Sequence, residues 1–478
     1  MRRLIGILFC CCISFHLFAQ TESDSITVLK FDDFYALVLN NHPVVKQAEL
    51  LTDQAMQEVR LARGGFDPKL EGSWDYKDLS EIEYYNRLKV GLKIPVWFPI
   101  DPQVGVERAT GDFVSDENEI SDKTNNQQVF AGVSIPVGKG LFIDQRRATV
   151  KQARLFQDMA EAEQIKEMNK ILLTAAKDYW EWYFAYNNYL LMQQSIGVAQ
   201  DIFDRTKLAF DYGETAAIDT IQAKITLQTR MIDYQQANID RIKAALTLSN
   251  NLWNADGAPL ELADNVRPEQ LPTLTFEDAF LNELVEMARE NHPEIRKLDI
   301  KNRSLMVDRD LARENLKPQL DLNYVLLDQP FNAQGDRNDI TLTENLKVGV
   351  DFSFPIFLRK ERAKLNQTKL KLIENNFQRD FAERQIINNI NGQFNSLVNT
   401  GDMLIQQEEM ANNYQLILAA ERLNLQNGES DLFKINVQIE KLIAAQSKLF
   451  KLRATYYKNI ANLYWAAGVV NLGLLVEQ

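Results

Sequence analysis

The sequence predicts a mainly α-helical protein with a transmembrane β-barrel portion, built from one unit written twice. Three observations carry this. Short motifs recur in the same order in both halves of the 478 residues. Each half holds a proline-free run of about 70 residues with a coiled-coil seam. Each half also holds segments of about ten residues that alternate apolar and polar, the length of a membrane-crossing strand.

Composition permits such a fold. The chain is 45% apolar, 25% charged and 10% aromatic, with 20 glycines and 13 prolines, which suits long uninterrupted helices. Net charge is −13; beyond residue 20 there are 51 basic against 66 acidic side chains, or −15. Such a surface repels phosphates, so nucleic acid is excluded as a general partner.

Residues 1–20, MRRLIGILFCCCISFHLFAQ, read as a signal peptide: two arginines, an apolar run from Leu4 to Phe18, then polar sequence. Cutting after Ala19 or Gln20 leaves Leu17 or Phe18 at the −3 position. Cys10, Cys11 and Cys12 all lie inside it, and bulky Phe9 disfavours lipidation there. The mature chain therefore has no disulfide, no thiolate nucleophile and no zinc-thiolate site.

The repeat is read from four anchors. Asn41-His42-Pro43 recurs as Asn291-His292-Pro293, and Asp67-Pro68-Lys69-Leu70 as Lys317-Pro318-Gln319-Leu320, both at an offset of 250. Arg147-Ala148 recurs as Arg362-Ala363, and Tyr212-Gly213-Glu214 as Asn427-Gly428-Glu429, both at an offset of 215. The first copy thus carries 35 extra residues between Pro68 and Arg147.

The first repeat, 21–252, is expected to contain helices over 31–63, strands over 68–137, a long helix over 141–212 and a return helix over 215–252. Pro43 splits the first helical stretch, because the residue before a proline avoids the helical region. A Pro-bearing linker over 253–275 should wrap around the middle of the shaft. The second repeat, 276–467, has helices over 276–315, strands over 318–354, a long helix over 357–427, a return helix over 430–467 and a tail over 468–478.

In the second copy Leu320, Leu322, Tyr324 and Leu326 alternate with polar neighbours, and Leu346, Val348, Val350, Phe352 and Phe354 do the same. The first copy offers Leu70–Tyr76, Leu88–Val96, a weaker stretch near Val104–Arg108, and Val129–Pro136. Copy one thus has four candidate strands and copy two has two. Taken alone, such strands also suit a half-buried soluble sheet.

The long helices decide between the two. Met168, Leu172, Ala175, Tyr179, Trp182, Tyr186 and Tyr189 step by fours and threes, as do Ile387, Ile390, Phe394, Leu397 and Leu404. A run of 70 residues is about 105 Å long. Each run stops at a glycine suited to a left-handed cap, Gly213 or Gly428. The shorter helices, stacked end to end, nearly match the long one.

The chain resembles the TolC-like outer-membrane efflux protein family over nearly its whole mature length. The duplicated element order, the two Asn-His-Pro helix starts and Gly213 and Gly428 carry the likeness. The resemblance implies a homotrimer in the outer membrane of a Gram-negative bacterium. Its strands would share one β-barrel in outer-membrane lipid, and its helices would form a hollow periplasmic barrel. It further implies a passive exit duct for small molecules or proteins, in a tripartite efflux or type I secretion system. The partners would be a periplasmic adaptor and an inner-membrane pump, proton-driven or ABC type.

Strand number stays open at this point. Four crossing strands per protomer make a barrel of twelve, with the extra 35 residues outside as a lid. Six make eighteen, which the short rigid turn Phe98-Pro99-Ile100-Asp101-Pro102 favours.

Adaptor contact is expected at the helix tips, at Tyr212, Gly213, Glu214, Asn427, Gly428 and Glu429. By the resemblance, a closed-pore constriction is expected at Asp219, six residues past Gly213, with Asp431 a substitute in the second copy. Lys434 and Val437 stand there where relatives carry acids. The same acids also suit the positive end of a helix dipole.

No catalytic residue, cofactor site or metal site is expected, since no HExxH, GxSxG or P-loop occurs. His42 and His292 read as capping and packing residues, and the cluster from Tyr179 to Tyr186 as helix packing. The alternative function is a periplasmic adaptor, also exported and long-helical; adaptors carry one helical hairpin, whereas this chain has two.

Overall fold

The computed structural model describes residues 27–114, 120, 126–270, 278–328 and 345–470. The expected signal peptide, its cysteines and most of the tail lie outside these. The first repeat runs β1 (Thr27–Leu29), α1 (Phe31–Asn41), α2 (Pro43–Arg63), a 3₁₀ turn (Gly64–Phe66), β2 (Lys69–Leu79), β3 (Ile82–Lys93), β4 (Asp101–Thr110), β5 (Gln127–Pro136), α3 (Gln145–Asp211) and α4 (Ala217–Ser249). After β6 (Val266–Pro268), the second runs α5 (Asp278–Asn291), α6 (Pro293–Glu314), β7 (Gln319–Asp328), β8 (Leu346–Ser353), α7 (Arg359–Gln426) and α8 (Leu432–Ala467).

At 67 and 68 residues, α3 and α7 are rods about 100 Å long. α3 starts at Gln145, four residues later than the start at 141 expected from its proline-free run. Asp144 has extended backbone and caps the helix by accepting from the Arg147 amide at 2.8 Å. The Arg147 guanidinium ties the preceding loop down, donating to the carbonyls of Leu141 and Gly140. The linker is less irregular than its prolines suggest. Its Val266–Pro268 segment pairs in parallel with Thr27–Leu29, so the strand just ahead of α1 is stapled to the linker between the repeats.

Each Asn-His-Pro motif forms a joint. Both histidines have extended backbone, which stops one helix, and the following proline starts the next. The Nδ1 of His42 accepts from the Val44 amide, and the Nδ1 of His292 from the Glu294 amide, each at 3.2 Å. His42 also bonds backbone at Asn250, the end of α4. His292 lies against Gly468, the end of α8, where an added Cβ would fall 2.9 Å from its ring. α2 and α4 thus meet end to end along α3, and α6 and α8 along α7.

A neutral imidazole is required for this cap, because protonated Nδ1 cannot accept. Burial pushes the His292 pKa down to about 4. The unfolded chain, with an ordinary imidazole near 6.5, takes up a proton that the folded chain refuses. Stability contributed by His292 is therefore present above pH 6.5, falls between about 6.5 and 4, and is flat below. The loss should reach roughly 2 kcal/mol after allowing for solvent screening. The fall in the heat resistance of the assembly between pH 7.5 and 4.5 should therefore be smaller in His292→Asn, which keeps a capping oxygen without titrating.

The main core sits at the level of these joints. Phe34 and Val38 of α1, Tyr179, Trp180, Trp182 and Tyr183 of α3, Leu284 of α5, Phe394 and Leu397 of α7, and Tyr456 and Leu463 of α8 pack together there. A smaller cluster nearer the tips joins Leu191, Leu418, Ile435, Ile439 and Ile443.

The six longer strands form one sheet in the order β2-β3-β4-β5-β7-β8, with antiparallel neighbours throughout. One copy thus holds six strands in a single sheet, the number that a barrel of eighteen would need from each of three copies. Ser80 and Glu81 between β2 and β3 both have positive φ, 56° and 63°, as a tight two-residue hairpin needs.

Candidate functional site

Two regions of the fold can do work: the helix tips at one end and the strand ribbon at the other. At the tips, α3 and α7 close with the same geometry. Gly213 has φ +80° and Gly428 φ +77°. The Gly213 amide donates to Phe210 O at 2.9 Å, and the Glu214 amide to Ala209 O at 2.9 Å. In the second copy the Gly428 amide donates to Leu425 O at 3.1 Å, and the Glu429 amide to Asn424 O at 2.8 Å. This paired cap satisfies the last free carbonyls of each helix. A Cβ on either glycine would meet nothing within 4 Å, so the left-handed backbone alone demands glycine.

Tyr212, Glu214, Asn427 and Glu429 stand exposed around these glycines. Tyr212 keeps 75% of its surface in solvent, a large aromatic ring with nothing to bury it. Asp219 and Asp431 act at the helix starts. Asp219 Oδ2 accepts from the Ala216 amide at 3.2 Å, and Asp431 Oδ1 from the Lys434 amide at 2.9 Å. Asp431 also faces the Lys434 ammonium at 4.0 Å. Both expected constriction residues thus start a helix, though from different places: Asp219 reaches back from inside α4, whereas Asp431 precedes α8.

On the ribbon, register sorts side chains by face. One face presents Leu70, Trp74 and Tyr76, then Leu88, Val90 and Leu92, then Val104 and Val106, continuing across β5, β7 and β8 with Val129, Val133, Ile135, Leu322, Tyr324, Val348, Val350 and Phe352. The opposite face is polar. There Lys89 pairs with Glu107, Gln128 Nε2 donates to Glu107 at 3.0 Å, and Asn323 donates to Asp351 at 2.6 Å. Apolar outside and polar inside is the pattern of a barrel wall around water.

Phe130, Val325 and Leu327 are apolar side chains grouped on that otherwise polar face, and Phe130 is 4% exposed. Its ring lies across Gly105 of the adjoining β4 and Gly91 of β3 beyond it, and Lys89 Nζ sits 4.8 Å above it. A ring over strand glycines covers bare backbone and fixes register.

Sequence reasoning missed one feature. Ile218, Ile225, Ile232, Ile239 and Leu246 recur every seven residues along α4, and all five are exposed. On α7, Leu370, Ile373, Phe377 and Phe381 form a second exposed stripe. The spacing of seven was legible in the sequence; that these faces would lack a partner within the chain was not. No described helix is long and apolar enough to cross a membrane. Among the described residues no group of histidine, cysteine and acids is placed to hold a metal.

Comparison with known proteins agrees with this geometry. The profile of the family described as outer membrane efflux protein matches residues 34–252 and 284–469. No curated protein matches the sequence. Several solved structures share the fold at low identity. The Campylobacter jejuni CmeC outer membrane channel is 14% identical, with a TM-score of 0.63 over 91% of this chain and 85% of that one. The outer membrane protein VceC of Vibrio cholerae is 15% identical, with a TM-score of 0.64 over 92% and 96%. The open-state Neisseria gonorrhoeae MtrE outer membrane channel is 14% identical, with a TM-score of 0.63 over 91% and 88%. With one family profile spanning most of the chain, and a ribbon and paired rods of the same fold as these channels, the chain belongs to the outer membrane efflux protein family and is an outer-membrane exit duct with a long periplasmic helical portion.

Proposed function

We propose that three copies of this chain form one passive duct. A periplasmic adaptor would bind its helix tips, and an inner-membrane pump would supply the energy. One observation supports the ring most directly. Helices pack in the order α4-α3-α8-α7 towards the tips and α2-α3-α6-α7 towards the sheet. α2 and α4 therefore end one flank and α7 the other, and both flanks carry unpartnered apolar stripes. Joining unlike flanks head to tail gives a ring. Nucleotide binding has no candidate residues here, so transport energy comes from the partner.

The tips are the adaptor's docking point in this reading. Tyr212, Gly213, Glu214, Asn427, Gly428 and Glu429 repeat around the ring as six similar knobs. Asp219 and Asp431 lie one turn inside, and three copies of each give the narrow end its negative charge.

One experiment separates the two parts. Phe377→Asp with Phe381→Asp places charge on the α7 flank without touching the chain's own core. It should abolish the heat-resistant trimer on a native gel while helical circular dichroism persists. Tyr212→Ala should keep the trimer and lose cross-linking to adaptor and export of substrate. A trimer that forms normally with both flank charges would sink the ring, and full adaptor capture by Tyr212→Ala would sink the docking point.

A further inference from the structure

The two copies differ most in their strands. β2 follows α2 as β7 follows α6, and β5 leads into α3 as β8 leads into α7. The pair without a counterpart is β3 and β4. Such an insertion could stand outside the membrane as a cover, or it could widen the wall.

The geometry points to the wall: we infer that the assembled duct closes as an eighteen-stranded barrel, with β2 of one copy pairing with β8 of the next. This rests on the trimeric reading above and adds the strand number and the seam. Four observations support it. First, β3 and β4 are 12 and 10 residues long, enough for a tilted strand to cross the hydrocarbon. They pair along their length with each other and with β2 and β5.

Second, the turn between them, 94–100, lies at the helical end of the sheet. Asp101, where β4 begins, meets Arg146 in the first turn of α3 at 3.0 Å, and Trp97 packs on Phe66 with ring centres 5.4 Å apart. The hairpin is thus rooted on the helical side and runs outward from there. A cover on the outer side would have its turn at the other end.

Third, Leu88, Val90, Leu92, Val104 and Val106 continue the apolar face of the neighbouring strands without a break. Lys89 and Glu107 continue the polar one. Fourth, the Phe130 ring over Gly91 and Gly105 locks β3, β4 and β5 into one wall.

Within one copy, β2 and β8 are the outer strands. An open strand edge cannot face lipid, because its amides and carbonyls find no water there. Only a second copy offers a complementary edge in the same plane. β2 runs outward and β8 returns, so the two meet antiparallel when the copies join head to tail. Strands 4.8 Å apart, tilted about 40°, give a backbone diameter of about 36 Å for eighteen and about 24 Å for twelve.

The seam is testable because no cysteine occurs after residue 12. Ser73→Cys on β2 would be combined in turn with Lys347→Cys, Gly349→Cys or Asp351→Cys on β8, all on the polar face. The control places Gln103→Cys on β4 with the same β8 positions. Full-length protein in outer membranes would be oxidised and run on non-reducing and native gels. We expect at least one β2–β8 pair to give disulfide-linked dimers and trimers, with none from β4–β8. Links from β4–β8, links between Ser73→Cys and Gln128→Cys or Ser134→Cys on β5 (which a twelve-stranded barrel lacking β3 and β4 would bring side by side), or a native trimer without any β2–β8 link would overturn the eighteen-stranded barrel and leave the trimer standing. Loss of the native trimer in unmodified protein would overturn both.

Discussion

Trp180→Ala should destabilise the protein by about 3–5 kcal/mol, the usual loss for a buried tryptophan. Trp180 is 1% exposed and stacks on Tyr457 of α8, with ring centres 4.2 Å apart and planes 13° from parallel. Phe31 of α1 packs against Trp180 as well, with ring centres 5.2 Å apart. Removing the indole opens a cavity where α1, α3 and α8 meet. The hydroxyls around it also lose support. Tyr179 donates to Leu29 O at 2.7 Å and accepts from the Glu269 amide at 3.2 Å, and Tyr183 donates to Gln270 at 3.0 Å. These bonds hold β1 and the linker to the rod. Dissociation of the heat-resistant trimer on a temperature series is the suitable readout, since a large assembly does not unfold in two states. Trp180→Phe keeps a ring against Tyr457 and should lose less than half as much. A melting profile unchanged by Trp180→Ala would show that this belt does not hold the shaft.

That belt marks the boundary of what the sequence made legible. The seam residues from Leu172 to Trp182 announced a buried face through their spacing, and they are buried. Periodicity reports one helix face at a time. It could not say that Phe34, Leu284 and the Leu29 carbonyl, far apart in the chain, would meet that face. The β1–β6 pairing was hidden for the same reason: three residues are too few to show alternation, and their partner lies across the linker. At the tips the glycines were readable because a left-handed cap leaves glycine little competition. Asp219 and Asp431 were ambiguous from composition, since a helix start and a charged pore both favour acids. Only the amide contacts reveal the capping part of their work.

Gly105→Val should prevent the ribbon from assembling. A Cβ there would lie 2.3 Å from the Val90 carbonyl oxygen, 2.5 Å from Phe130 Cζ and 2.7 Å from Gly91 Cα. Two of these three neighbours are backbone, so no rotamer change relieves the clash. Overpacking of this kind costs about 3 kcal/mol or more when the main chain must move. Gly91→Ala is a graded comparison. Its nearest neighbour is the Phe130 ring at 3.2 Å, and backbone comes next at 3.5 Å. Pairing each change with Phe130→Ala separates the causes: the smaller ring site should rescue Gly91→Ala and leave Gly105→Val defective. Gly349→Ala on β8, whose added Cβ would meet only Asn323 Cβ at 3.9 Å, should behave as wild type. The fraction of protein recovered from outer membranes as heat-resistant trimer measures all five. Because β3 and β4 pack this closely on β5, a defect confined to β4 should remove the whole assembly and not merely trim an appendage. Normal assembly of Gly105→Val would instead mean that the hairpin stands apart from the wall, and the strand that pairs with the next copy would then have to lie elsewhere.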